Sequence, residues 1–242
     1  MRAPDTTTTM TEGRSHNTPL PLPQGERELC SHAPLLHLLA WLSPGFPTGA
    51  YAYSHGLEWA VECGDVQNAD TLRAWLADIL CHGSGHNDAI LLRHAHRGDH
   101  DLASLNNLAA ALAPSRERRM ETLDQGTAFI VAAAAWDPPQ LPDRVAHPVA
   151  VGALAARHGI DEDATTAAYL QAFASNLISA AVRLVPLGQS TGLRVLADLE
   201  PVILDVAART RSASLDDLGG CAFRADLAAM RHETQYTRLF RS

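Results

Sequence analysis

Five histidines between positions 82 and 100, His82, His86, His94, His96 and His100, are the side chains whose types and spacing most directly suggest chemistry. Imidazole is a common ligand for divalent transition metals, and His82 and His86 have the i, i+4 spacing that sets two ligands on one helical face. Gly83 and Gly85 fall between them, however, no His-Glu-x-x-His string is present, and Asp88 is the only nearby carboxylate before Asp99. Surface histidines are the favoured reading, and a helical metal-dependent enzyme built on the 82–100 cluster is the alternative. Asp161, Glu162 and Asp163 could supply a carboxylate pair for acid/base work, but acids opening a helix are already accounted for by the helix dipole. Phosphate-cradling glycine loops, a dinucleotide-binding strand-helix unit and a Gly-x-Ser-x-Gly elbow are all missing. No catalytic, cofactor-binding or metal-binding residue is assigned, and the chain is expected not to be an enzyme.

Residues 43–58 are more informative. Pro44, Gly45, Pro47 and Gly49 force a turn. After Gly49, Tyr53, Leu57 and Val61 recur every four residues, with Tyr51, His55 and Glu58 on the neighbouring face. This spacing predicts a helix from about Ala50 whose first turns expose a phenol, an imidazole and a carboxylate beside a rigid loop. At the other end, Tyr236, Leu239 and Phe240 stud a segment whose arginines, Arg231, Arg238 and Arg241, outnumber its one acid, Glu233, in a chain of net charge −8. Burying three such side chains yields about 1.5–3 kcal/mol each, whereas ordering the backbone costs about 1–2 kcal/mol per residue. Residues 232–242 are therefore expected to be mobile alone and to order against a partner.

Ser43, Pro44, Pro47, Gly49, Tyr51, Ser54, Gly56, Leu57 and Glu58 fill the string Ser-Pro-x-x-Pro-x-Gly-x-Tyr/Phe-x-x-Ser-x-Gly-Leu-Glu, which resembles the N-terminal signature of the urease accessory protein UreF family. The ending His-Glu-x-x-x-x-Arg-Leu-Phe-Arg-Ser, the segment from Arg183 to Gln189, and His147-Pro148 with Gly152 are similar to further parts of that family, so the likeness covers residues 34–242. It implies an all-α accessory protein that dimerises, binds a UreD (UreH) scaffold and recruits the GTPase UreG, so that nickel reaches apo-urease when GTP is hydrolysed. Nickel and GTP then belong to the wider complex, and this chain binds neither directly. The likeness implies partner contacts at Ser43, Pro44, Pro47, Gly49, Tyr51, Ser54, His55, Gly56, Glu58, Tyr236, Arg238, Leu239, Phe240, Arg241 and Ser242. It also implies that Arg238 bonds near the Tyr51 loop and couples tail docking to GTPase recruitment. Thr48 and Ala50 stand where many relatives carry Val and Gly, and Phe46 replaces a small aliphatic residue.

The elements that must carry these residues are helical. Hydrophobic residues make up 46% of 242 positions but aromatics only 5%, with alanine abundant, and no segment alternates with period two. The expectation is an all-α, single compact helical bundle of about ten helices over residues 33–231, preceded by a polar, disordered segment 1–32 and followed by the tail. A short buried helix is expected from Leu35 to Leu42. Asn68 should cap a helix with the stripe Leu72, Trp75, Leu76, Ile79 and Leu80; further helices should follow Ser115, His147, Asp161, Gln189 and Arg224. The acidic balance, with a pI near 5.8, argues against nucleic acid or an anionic membrane surface as partner. The longest apolar run, 128–136, falls short of the roughly 20 residues that span a bilayer. Scattered cysteines suggest reduced thiols, and a cytoplasmic location is expected.

Overall fold

Alanine-rich stripes and side-chain caps, rather than strand alternation, shape the computed structural model, which describes the backbone from Gln24 and side chains from His32 to Ser242. Of the segment 1–32 expected to be disordered, residues 1–23 lie outside the described residues, while residues 24–32 are helical and correct the expectation. Pro34–Ser242 form one compact unit. Among the described residues every regular element is helical, as the composition predicts.

Helix α1 (Gln24–Trp41) begins well before Leu35 and carries Pro34 inside it. It is not wholly buried as expected: Leu38 and Trp41 enter the core, whereas Leu35, Leu36 and Leu39 remain exposed. Helix α2 (Leu57–Glu62) is short. In α3 (Ala69–His82) the Asn68 side chain accepts the Thr71 amide, and Leu72, Trp75, Leu76, Ile79 and Leu80 are all buried. Helix α4 (Ser84–Arg97) is buried continuously from Ala89 to Ala95 and stops at left-handed Gly98. The next three are α5 (Leu102–Leu112), α6 (Arg116–Ala132) and α7 (His147–Arg157), of which α6 begins after Ser115 and α7 at His147 as expected. Asp161 caps α8 (Glu162–Leu184). Helix α9 (Gln189–Arg209) runs through Pro201 without a break, because the ring and Ala197, whose carbonyl loses its partner, are both exposed to water. Helix α10 (Phe223–His232) closes the set.

Helix α4 is the hub, packed against α3, α5, α7 and α8, while α8 and α9 pair and α10 lies on α2. Phe46 fills core space against Phe129 and Trp136, at ring separations of 5.4 Å and 6.1 Å. The acidic triplet is structural: Asp161 accepts the Ala164 amide, while Glu162 and Asp163 pair with Arg93, which also donates to the Ala207 carbonyl. Cys63, Cys81 and Cys221 are free thiols. No helix among the described residues is long and apolar enough to cross a membrane.

The contact between α10 and α2 depends on Gly56. Its φ is +76°, and a Cβ there would lie 2.6 Å from the Ala229 backbone nitrogen. Gly56→Ala is expected to destabilise the fold by at least the roughly 1–3 kcal/mol of left-handed strain, read as a drop of several degrees in thermal midpoint.

Candidate partner-docking site

The segment 50–58 folds more tightly than its spacing predicts. In place of a continuous helix from Ala50, residues Ala50–Ala52 make one 3-10 turn, Tyr53 is extended, and His55 (φ 61°) and Gly56 turn the chain before α2 begins. Tyr53 and Leu57 are both buried, which satisfies the four-residue spacing without a helix joining them. The consequence for the three polar groups is a correction: Tyr51 is 71% exposed, but His55 and Glu58 are buried.

Glu58 is buried because the tail comes to it. Its Oε1 accepts the Leu239 amide at 2.7 Å and its Oε2 the Phe240 amide at 3.0 Å. The same Oε2 lies 3.3 Å from Nε2 of His232, which is 0% exposed, and the other ring nitrogen lies 2.6 Å from Glu117 Oε2. Glu117 Oε1 accepts from Arg238 at 2.7 Å. Glu233 reaches back to α6 and accepts the Arg116 and Glu117 amides at 2.7 Å and 3.3 Å, satisfying donors that a helix N-terminus leaves free. Gln235 donates to Glu62.

The last residues continue this attachment. Arg241 donates its amide to the Ala52 carbonyl at 2.8 Å, and the Ser242 main-chain oxygen accepts the Ser54 amide at 2.7 Å as well as the Ser54 hydroxyl. The Ser242 hydroxyl donates to Glu121 Oε2 at 2.5 Å and accepts the His55 amide at 3.3 Å. The tail expected to be mobile alone is thus docked on its own domain. Phe240 and Ser242 are buried, while Tyr236, Arg238, Leu239 and Arg241 face outward, Leu239 at 75% exposure.

Contrary to what the family likeness implies, Arg238 does not bond near the Tyr51 loop; Glu117 holds it. Arg183 makes that link instead, donating to the Tyr51 carbonyl at 2.9 Å with its guanidinium carbon 4.4 Å from the centre of the Phe240 ring. On the loop side, Gly49 adopts a left-handed conformation, Ser43 Oγ accepts the Gly45 amide at 3.1 Å, and Asn176 donates to the Ala50 carbonyl at 3.1 Å. Pro44, Pro47 and Tyr51 are left exposed.

Behind the loop lies a groove of about 830 Å³, rimmed by Leu39, Pro47, Tyr51 and Phe173, with Asp88, Glu121, His147 and Tyr169 among its lining residues. Burial shifts the ionisable groups at and beneath it. It takes His147 down to about 4, and His55 also to about 4 with help from the Arg118 charge; His55 Nε2 sits 2.7 Å from Ser84 Oγ. Burial pushes Asp88 up to about 6, against the opposing effect of a 2.7 Å hydrogen bond from Tyr169. Burial also works against ionised Glu121, yet the Arg118 guanidinium, His55 and Ser242 together hold its carboxyl well below the usual range.

Sequence reasoning missed Glu117, Glu121 and Arg118, although the i, i+4 acids on an otherwise charged turn were a usable signal, and it missed Glu233 as a helix cap. The histidines of the metal alternative are only partly brought together: His94 and His100 stand beside Asp99, but the other three do not join them. His82 is exposed, His86 Nε2 lies 3.2 Å from the Asp217 carbonyl oxygen, and His96 Nε2 lies 2.7 Å from that of Ile160.

Comparison with known proteins decides the family. The UreF family profile matches residues 66–200. The chain is 56% identical over 223 residues to urease accessory protein UreF of Bradyrhizobium sp. (strain BTAi1 / ATCC BAA-1182), covering 87% of this chain and 93% of that one. It is 54% identical over 210 residues to the UreF of Cereibacter sphaeroides (strain ATCC 17029 / ATH 2.4.9), covering 87% and 99%, respectively. The chain belongs to the UreF family. The matched profile covers neither the Tyr51 loop nor the tail, so the docking geometry of this UreF chain rests on the structure itself.

Two outcomes follow from the network. Glu58→Ala orphans two buried amides at about 1–3 kcal/mol each, so the 236–242 amides should exchange with solvent much faster than in the native chain, while Glu58→Gln, which keeps an acceptor, should lose less. His55 and His147 take up protons only in the unfolded chain between about pH 6.5 and 4. Asp88 opposes them by holding its proton in the folded chain up to about pH 6. Two histidines against one carboxyl make the thermal midpoint fall as pH drops through that window, and the depressed Glu121 extends the fall below its ordinary value of 4.5.

Proposed function

We propose that this chain is a non-catalytic urease accessory subunit that bridges a UreD/UreH-like scaffold and a UreG-like GTPase, serving GTP-dependent nickel delivery to apo-urease. Membership of the UreF family and the naming of its relatives as urease accessory proteins support the accessory role. The observation that carries the bridging role is the seam between tail and loop. The tail's main chain is clamped by Glu58, Ala52 and Ser54, and Arg183 touches both the Tyr51 carbonyl and Phe240. Exposed Tyr236 and Leu239 on the tail, and exposed Tyr51 with Pro44 and Pro47 on the loop, offer apolar groups to protein partners.

In this reading the tail meets the scaffold and the Tyr51 loop meets the GTPase. Ser54, His55, Gly56, Glu58, Phe240 and Ser242 serve by positioning both. Nickel and GTP are handled by the assembled complex, which works in the cytoplasm around a homodimer of this chain.

The test uses exposed residues so that folding is spared. In pull-downs with purified partners, Tyr236→Ala with Leu239→Ala should weaken capture of the UreD/UreH-like protein at least tenfold at an unchanged thermal midpoint. Tyr51→Ala should spare that step and weaken recruitment of the GTPase. Native-level binding by both variants would defeat the bridging reading.

A further inference from the structure

At the opposite end of α4 from the docking seam, three side chains scattered in the histidine-rich sequence converge. Left-handed Gly98 (φ +66°) ends the helix with its amide on the His94 carbonyl, which sends the following residues back beside the last turn. Asp99 then places both carboxylate oxygens 3.0 Å from His94 Nδ1. The His100 ring stands 5.0 Å from that of His94 at 68°. One ligand atom from each of His94, Asp99 and His100 lies within 4.8 Å of the others.

We propose that His94, Asp99 and His100 bind one divalent transition-metal ion of borderline softness, of the Zn²⁺ or Ni²⁺ class, at the turn between α4 and α5. Two imidazoles and one carboxylate are the donor set such ions take, and hard ions such as Mg²⁺ prefer all-oxygen sites. Metal–ligand bonds of about 2.0–2.2 Å need the donors slightly closer than they stand, and the exposed Asp99 and His100 side chains have room to close. His94 supplies the fixed corner: it is 5% exposed and held on a buried helix, with Nδ1 as the ring nitrogen that faces the Asp99 carboxylate.

Neighbouring charges leave the position to a cation. Of the two flanking guanidiniums, Arg93 is engaged by Glu162, Asp163 and the Ala207 carbonyl, and Arg97 by Glu162 and the Arg211 carbonyl. Asp101 is committed to capping α5 through the Ser104 amide at 2.8 Å. Water completes the coordination from the exposed side. The bound ion ties the last turn of α4 to the connection that leads into α5. At 1.5 Å per residue along α4 it lies about 20 Å from Ser84, the contact of His55, so it is separate from the docking seam and independent of the bridging role.

The test is calorimetric titration of the untagged full chain with ZnCl₂ and NiCl₂, alongside thermal melts with and without metal. The expected result is one equivalent bound by the native chain with a metal-dependent rise in midpoint. Asp99→Asn and His100→Ala, both at exposed positions, should each weaken binding at least tenfold and abolish that rise. A His82→Ala, His86→Ala double variant should behave as the native chain. Absence of saturable one-equivalent binding, native affinity in His100→Ala, or loss of binding in the 82/86 variant would each overturn the site. No partner protein is needed, so failure here leaves the bridging reading standing, and failure of the pull-downs leaves the metal site standing.

Discussion

The structure around the docking seam depends on one buried carboxylate. A carboxylate removed from water is costly by several kcal/mol unless its oxygens are hydrogen-bonded or paired. Glu58 meets that requirement with two main-chain amides from the tail and the His232 ring. Its place in the first turn of α2 adds the favourable end of the helix dipole. That turn can start there only because His55 and Gly56 take left-handed conformations, and Gly56 can lie against α10 only because it lacks a Cβ. Loop geometry, helix contact and tail attachment are therefore one constraint seen from three sides.

Capture through the main chain has a consequence for recognition. Because Glu58 holds amides rather than side chains, Leu239 can be fixed in place while its side chain points into water. Phe240, the next residue, turns inward under Arg183. An ordered segment with outward apolar groups has already met its ordering cost before any partner arrives, which is the physical content of preorganisation. Arg183 then makes the state of the tail felt at Tyr51, since displacing Phe240 removes one side of the guanidinium's packing and leaves its bond to the Tyr51 carbonyl less constrained.

Local signals in the sequence carried most of the helical frame. Asn68, Ser115 and Asp161 cap as their side chains suggest, and the Leu72 to Leu80 stripe is buried. What eluded sequence reasoning is non-local. The spacing of Tyr53 and Leu57 is equally compatible with a helix and with two buried residues either side of a tight turn, and the choice is made by α10 pressing on Gly56. The tail looked mobile because only its three apolar side chains were weighed, whereas most of what holds it is polar and comes from residues 52–62, 117 and 121. Buried Glu117 and Glu121 were hidden among exposed charges on the same turn. Leu35, Leu36 and Leu39 erred the other way, since an apolar run marks a surface to be covered without saying that its own fold covers it.

The seam also reports on the state of the chain. Ser54 and Ser242 are far apart in sequence yet share hydrogen bonds, and Glu58 is joined to residues 239 and 240 across the whole helical core. Only when α4, α6 and α8 have packed do Glu117, Glu121 and Arg183 stand where the tail can use them. In an incompletely folded chain the buried carboxylates would have no partners, and the cost of desolvating them would keep the seam open. In the bridging reading, a scaffold docking at Leu239 and a GTPase docking at Tyr51 would therefore both engage only the completely folded subunit. The polar character of the network makes that selection sharp, because an apolar tail could adhere in many registers, whereas paired charges and directed amides satisfy one another in few.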